Sequence, residues 1–334
     1  MFLDPLRALP RLRLWTHPSA IEELPRLRRA LGGRGPRLLI KRDDLLPFGA
    51  GGNKIRKLDL VGARARAEDA DLLITCGGLQ SNHARATAAV AARLGIGCTL
   101  VLNGTPPARP TGNALLSHLY GASLAFVDSR DARAPKMAAV AEAAAAAGRR
   151  PFVVPLGASV PLGVAAFVQA IGELLDQGLI PDVIIHASSS AGTQAGLVAG
   201  CQIHDLGTRV IGVSADEPAA SLEAQVRDLI DAFAREFAAP GIDAAEAPAS
   251  PEGWSVDPAA VRVDDRFIGG GYGVPTPASQ EAQDLFARHE AILVDHTYTA
   301  KAAAALLAYV RQGELTADQT VLFWHTGGQI GLFA

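Results

Sequence analysis

The sequence predicts an α/β fold of parallel sheets covered on both faces, in two domains or one large unit. Three observations lead there. Short, nearly continuous apolar runs of β type alternate with longer helical runs along the 334 residues. Glycine- and serine-rich loops repeatedly follow a strand and open a helix. Apolar residues make up 49% of the chain and charged ones 19%, enough to bury a sizeable core.

The first strand reads at 38–41 (LLIK) and a second at 71–75 (DLLIT), followed by a helix over 81–94. Strand 98–102 (CTLVL), helix 113–119, strand 123–127, helix 136–147 and strand 151–154 come next. The short alanine run 143–147 reads as a small-residue helix face. Helix 163–177 leads to strand 183–186 (VIIH), helix 193–204, strand 210–214 and helix 221–237. The Ala- and Pro-rich stretch 238–252 reads as an exposed connection. Helices over 279–290 and 299–312 precede a last buried strand at 320–324 (TVLFW). No internal repeat of fixed period interrupts this alternation.

Several function classes fall away. A net charge of -3 leaves no basic face for nucleic acid or an anionic membrane, so a small-molecule ligand is expected. Cys76, Cys98 and Cys201 have neither metal-ligand spacing nor an even count, which fits a reducing cytoplasm. The first 15 residues lack an apolar leader core, and no run of 18 apolar residues reads as a membrane span. The eight histidines form no HExxH-like cluster, so no metal is expected.

Six patches carry chemistry. Lysine occurs only at 41, 54, 57, 136 and 301, arginine supplying the other cations. Lys54 closes the loop Gly49-Ala50-Gly51-Gly52-Asn53-Lys54. It is either a solvated turn lysine or, if desolvated, an amine able to form an imine. Gln80-Ser81-Asn82-His83 follows a strand and opens a helix, where free N–H groups bind an anion; Ser81 is also an ordinary helix cap there. Ser188-Ser189-Ser190-Ala191-Gly192-Thr193 repeats that geometry with the small residues and hydroxyls that cradle a phosphate, or is a plain turn with a threonine cap. Gly269-Gly270-Gly271-Tyr272-Gly273 either lines a pocket or turns at the surface. Tyr298-Thr299 and His325-Thr326-Gly327-Gly328 are cap-like when read singly.

Together, Lys41-Arg42-Asp43-Asp44, Gly51-Gly52-Asn53-Lys54 with Arg56-Lys57-Leu58, Gln80-Ser81-Asn82-His83, Ala191-Gly192-Thr193, Gly271-Tyr272-Gly273, Tyr298-Thr299 and His325-Thr326-Gly327-Gly328 form an ordered set. In that set the chain resembles the D-cysteine desulfhydrase and 1-aminocyclopropane-1-carboxylate (ACC) deaminase family, fold-type II enzymes of pyridoxal 5′-phosphate (PLP). The resemblance implies a tryptophan synthase β-like architecture with PLP in the cleft between two parallel-sheet domains. A small domain would span 51–159, and 1–50 with 160–334 would form the large one, in a homodimer. Lys54 would hold PLP as a Schiff base, beside Asn53. Asn82 would bond the cofactor's phenolic oxygen, and Ser190, Ala191, Gly192 and Thr193 would grip its phosphate. Thr326 would face the ring nitrogen. Ser81 and the adjacent helix start, with Asn82 and His83, would hold the substrate carboxylate. Tyr272 and Tyr298 would act as acid/base or positioning groups, with Thr299 and His296 beside the substrate.

Three positions depart from the family pattern. Ser189 stands where glycine is common, Gly157-Ala158-Ser159-Val160 replaces Gly-Gly-Ser-Asn, and His296 replaces a proline. Where ACC deaminases carry a glutamate and a leucine, this chain has Thr299 and Thr326. Neutral hydroxyls leave the ring a weaker electron sink, which suffices when a good leaving group departs from Cβ. The expectation is therefore an α,β-elimination on a small sulfur-containing amino acid, giving pyruvate and ammonia. D-cysteine desulfhydrase comes first, L-cysteate sulfo-lyase second, with His296 as a donor to the sulfonate, and ACC deaminase third. A non-catalytic PLP- or nucleotide-binding module is the reading from another class.

Overall fold

The computed structural model describes residues 3–237 and 256–334, so the expected connection at 238–252 lies outside the described residues. In chain order the elements are α1 (Leu3–Arg7), β1 (Ile21–Glu23), α2 (Pro25–Ala30), β2 (Arg37–Arg42), α3 (Asn53–Ala67) and β3 (Leu72–Gly78). There follow α4 (Asn82–Leu94), β4 (Gly97–Asn103), α5 (Gly112–Leu119), β5 (Ser123–Val127), α6 (Arg133–Ala146) and β6 (Pro151–Val153). The remainder is α7 (Pro161–Asp176), β7 (Val183–Ser188), α8 (Gly192–Ile203), β8 (Arg209–Ser214), α9 (Ala219–Phe237), β9 (Arg262–Asp264), α10 (Pro277–Glu290), α11 (Thr299–Gln312) and β10 (Thr320–His325).

Two sheets result. A six-stranded sheet runs β1-β2-β10-β7-β8-β9, parallel except for the antiparallel edge strand β1. A four-stranded, wholly parallel sheet runs β5-β4-β3-β6. The central strands β3, β7 and β10 are buried on both faces, which is why they read as continuous apolar runs. In β7, Ile184 joins the core under α7, α8 and α9, while Val183 and Ile185 join the core with α10 and α11. In β3, Leu73 packs toward α3 and α4, and Leu72, Ile74 and Cys76 pack toward α6.

The long element the sequence reading lacks is α3. Its pattern NKIRKLDLVGARARA hides the helix because charged residues lie on the inside: Arg56, Lys57 and Asp59 are all buried. An amphipathic pattern needs its polar face in water. α3 instead packs against α4 on one side and α7 on the other, bridging the two sheets. Its charges find internal partners. Arg56 pairs with Asp43 and Glu173, and Asp59 accepts from Arg11 Nε at 2.5 Å and the Leu14 amide at 2.9 Å.

Candidate active site

The loops that leave β3, β5, β7, β8 and β10 at their C-terminal ends converge on one cavity of about 610 Å³. This is where a parallel sheet presents its ligands. Asn53, Lys54, Ser81, Asn82, His83, Ser190, Ala191, Thr193, Tyr272, Tyr298 and Thr326 all line it. Gly192 sits just behind the wall, at the start of α8.

Lys54 lies in the first turn of α3, not in a free turn. The loop before it is pinned: the Gly52 amide donates to Asp43 O at 2.8 Å and the Asn53 amide to Thr326 O at 3.0 Å. Gly51 has φ +67°, and a Cβ there would lie 2.2 Å from Asp44 O, so the approach requires glycine. The Lys54 amine donates to Asn53 Oδ1 at 3.1 Å, and Asn53 Nδ2 donates to Thr193 Oγ1 at 2.9 Å. Among the described residues no carboxylate pairs with Lys54. Burial, helped by the nearby Arg85 cation, pulls its pKa down to about 8. A substantial neutral fraction near neutrality is what a nucleophilic amine needs.

The opposite end gathers groups suited to a phosphate. Lys57 is fully buried, one helical turn beyond Lys54, and among the described residues its amine donates to Gly157 O alone, at 3.2 Å. Burial and the neighbouring Lys54 push its pKa well below the ordinary lysine value. A Cβ on Gly192 would lie 2.8 Å from both Lys57 Nζ and Ser159 Oγ, so the helix start, the lysine and the serine form one close cradle. Ser159 Oγ also touches Ser190 Oγ at 3.1 Å, and the buried Ser188 Oγ has no partner among the described residues. Ala191 enters α8 at φ +59°, a conformation few side-chain-bearing residues adopt.

PLP asks a site for a free amine, a cationic seat rich in N–H groups, and a donor to its phenolic oxygen. Lys54 supplies the first, Lys57 with the α8 N-terminus the second, and Asn82 the third, so the residues present fit the cofactor that the resemblance implies.

Ser81 caps α4, accepting from the Ala84 amide at 3.2 Å, and also lines the cavity. His83 is buried, with Nε2 2.7 Å from Thr75 Oγ1 and Nδ1 without a hydrogen-bond partner among the described residues. Burial beside Lys54 and Lys57 holds it neutral, its pKa well below the usual histidine range. Across the cavity the Tyr272 and Tyr298 hydroxyls are 2.5 Å apart. Burial raises both pKa values, so at neutral pH the pair consists of protonated donors rather than bases.

At two positions the structure departs from the sequence reading. Thr299 does not line the cavity: it is fully buried in the first turn of α11, its hydroxyl donating to Asp295 Oδ1 at 2.7 Å, while the Asp295 carboxylate takes the Thr297, Tyr298 and Thr299 amides. His296 is half-buried beside it and is also absent from the cavity wall. The Asp295 side chain, rather than the Thr299 hydroxyl, serves the amides at this helix start, and Thr326 alone carries the ring-facing expectation. Cations the sequence reading did not single out line the mouth instead. Arg130 pairs with Asp216 at 2.6 Å and lies 5.0 Å from the Tyr272 ring, with Arg133 close by. Ser189, the departure in the phosphate loop, donates to Asp216 at 3.2 Å. Their loops carry no motif, so only Lys57, one of five lysines, was signalled in advance.

Comparisons with known proteins agree with this geometry. A family model described as pyridoxal-phosphate dependent enzyme matches residues 12–327. The chain is 37% identical to D-cysteine desulfhydrase of Salmonella typhi over 344 residues, covering 100% of this chain and 98% of that one. The D-cysteine desulfhydrase of Salmonella choleraesuis (strain SC-B67) matches to the same extent, 37% over 344 residues with 100% and 98% covered. Among solved structures, an ACC deaminase homologue superposes with a TM-score of 0.88 at 32% identity, covering 99% of this chain and 96% of that one. A fungal L-serine ammonia-lyase from Rhizomucor miehei superposes with a TM-score of 0.65 at 17% identity, covering 95% of each chain, a likeness of fold.

Proposed function

The chain belongs to the pyridoxal-phosphate dependent enzyme family, with the fold-type II architecture of two parallel sheets, and from that premise we propose that it is a lyase eliminating a sulfur leaving group from a three-carbon amino acid. The observation that carries this reading is the Lys54 amine, bonded to Asn53 and without a carboxylate partner among the described residues, in one cavity with the Ser190–Thr193 helix start and the tyrosine pair. PLP, when bound, makes the substrate's Cα–H bond acidic by withdrawing electrons. The Cα proton is lost, the Cβ–S bond breaks with its electron pair going to sulfur, and hydrolysis of the resulting enamine gives pyruvate and ammonia.

Each residue has a part. Lys54 would hold the cofactor, and its amine would be the base that takes the Cα proton. Ser81 and the α4 N-terminus orient the substrate carboxylate. Tyr272 and Tyr298, both protonated, donate to the departing group. Thr326 offers the ring nitrogen a neutral partner, and the Asp295 carboxylate is occupied by the Thr297, Tyr298 and Thr299 amides. That pairing favours loss of a ready leaving group over ring opening.

D-cysteine is the first substrate, in keeping with the Salmonella relatives. Arg130 and Arg133 at the cavity wall favour L-cysteate as the second, because a sulfonate needs a cationic partner when it leaves water. We take 51–159 as the small domain and the remainder as the large one, in a homodimer. The test is a pyruvate-release screen over D- and L-cysteine, L-cysteate, D- and L-serine, β-chloroalanine and ACC, with sulfide and sulfite assayed in parallel. Sulfide from D-cysteine is expected. Cysteate activity lost selectively in Arg130→Met would favour the sulfonate reading. Ammonia from ACC alone would defeat both, and no turnover at all would leave a binding module.

A further inference from the structure

Asn82 faces the cavity with an amide, and an amide has two unlike ends: its NH₂ donates and its oxygen accepts. Which end looks inward decides whether Asn82 can serve an anionic oxygen. We propose that Asn113, anchored by Arg85, sets this orientation and is therefore a positioning residue for cofactor binding. The proposal rests on the reading of this cavity as a PLP site.

The polarity can be traced bond by bond. A guanidinium only donates. Arg85 is almost wholly buried, and its Nη groups donate to the carbonyls of Gly49 and Gly51, which fixes the plane of the group. Its Nε–H donates to Asn113 Oδ1 at 3.0 Å. A flipped Asn113 would set donor against donor. Asn113 is itself buried, so its Nδ2 must find acceptors, and it donates to Gln80 O at 2.9 Å and to Asn82 Oδ1 at 2.9 Å. Gln80 O can only accept, so it enforces the same orientation as Arg85. The Asn113 amide N–H is held in turn by Gln80 Oε1 at 2.8 Å. With Oδ1 of Asn82 engaged from behind, its NH₂ is left for the cavity. A donor-only cation thus fixes one amide, and that amide fixes the next. The relay also joins the loop before Lys54 to the α4 helix start, since Arg85 holds the one and reaches the other through Asn113.

The test compares Asn113→Asp with Asn113→Ala in purified holoprotein, using PLP as the probe. The dissociation constant for PLP and the pH titration of the bound cofactor's visible absorption are read, with thermal stability as a control. An aspartate keeps the volume and pairs with Arg85, but offers Asn82 only acceptors, so Asn82 must turn its oxygen inward. The dissociation constant is expected to rise about tenfold, the worth of one hydrogen bond to a charged group, and the absorption midpoint to shift. Alanine leaves Asn82 free to rotate and gives a smaller change. A role in packing alone predicts the opposite order, alanine worse than aspartate. A second measurement reads the same relay should the aspartate variant fail to fold: in a cycle of Asn82→Ala, Asn113→Ala and the double variant, the double variant should bind PLP no more weakly than Asn82→Ala alone, because Asn113 acts through Asn82. An unmoved spectrum in Asn113→Asp, or additive losses around the cycle, overturns the relay while leaving the PLP reading intact. A wild-type protein that acquires no visible band with PLP overturns both.

Discussion

Two groups of buried cations sit on opposite sides of the α3 N-terminus, and they are managed in opposite ways. In the first, Arg56 bonds Asp43 Oδ1 at 2.7 Å and Glu173 Oε1 at 2.9 Å, and Lys41 bonds Glu173 at 2.6 Å. Ser19 and the Trp324 indole complete the shell around Asp43. In the second, Lys54, Lys57 and Arg85 meet only carbonyls and amides among the described residues. The first group is finished as folded and holds Glu173 down to about 2. The second carries uncompensated positive character, which costs free energy unless an anion joins it. One cluster is architecture, and the other is a binding site built at the expense of stability.

Substitution at Lys54 gives the largest effect. Lys54→Ala should lose turnover entirely while keeping its circular dichroism spectrum, and borohydride treatment of the wild type should fix the cofactor to Lys54 by mass spectrometry. An adduct on Lys57 or Lys301 would break the assignment. Next comes the paired cluster: Asp43→Asn leaves Arg56 with Glu173 as its carboxylate partner but weakens its bonds on the other side, and should lower unfolding stability by about 1.5–3 kcal/mol in denaturant titration. Lys57→Met sharpens the contrast. Losing a bond to phosphate should weaken PLP about 10–100-fold in a binding titration, yet cofactor-free stability should hold or rise, because an unpaired buried cation has gone.

The histidines extend the comparison to pH. Burial holds His186 at about 4 and His83 well below its ordinary value, so between 4 and 6.5 the unfolded chain binds more protons than the folded one. Stability should therefore fall as pH drops through that window, by up to about 3 kcal/mol for His186. His186→Gln should flatten the slope measured by thermal melts. The smallest effect belongs to Ser81→Ala, which should cost about 1 kcal/mol as a cap and cost turnover more. Full activity in a destabilised variant would show that the cap was its whole role.

The sequence spoke clearly where burial follows pattern and faintly where charge is buried. Strands such as 183–186 and 320–324 were legible because both sheet faces are covered, so their residues are uniformly apolar. Helix α3 was not, since Arg56, Lys57 and Asp59 face inward and erase the amphipathic signal. Loop motifs ending in Lys54, Asn82 and Thr193 announced themselves through glycine and helix-start chemistry. Arg130, Asp216 and Asn113 reach their partners by tertiary contact alone, which spacing along the chain does not encode. Thr299 misled because a hydroxyl opening a helix looks the same in sequence whether it faces a ligand or a buried carboxylate four residues back, as it does Asp295.

The strand order β2-β10-β7 also sets a timetable. The four strands of the smaller sheet emerge from the ribosome in one continuous stretch, 72–153, and can pair as they appear. The larger sheet cannot: β10, its last-made strand, fits between β2 and β7, which wait apart until it arrives. The same strand delivers Thr326, whose carbonyl holds the Asn53 amide beside Lys54. A nascent chain halted before residue 320 thus carries the lysine without the clamp that aims it, so assembly of the reactive centre is deferred until synthesis has passed every other strand.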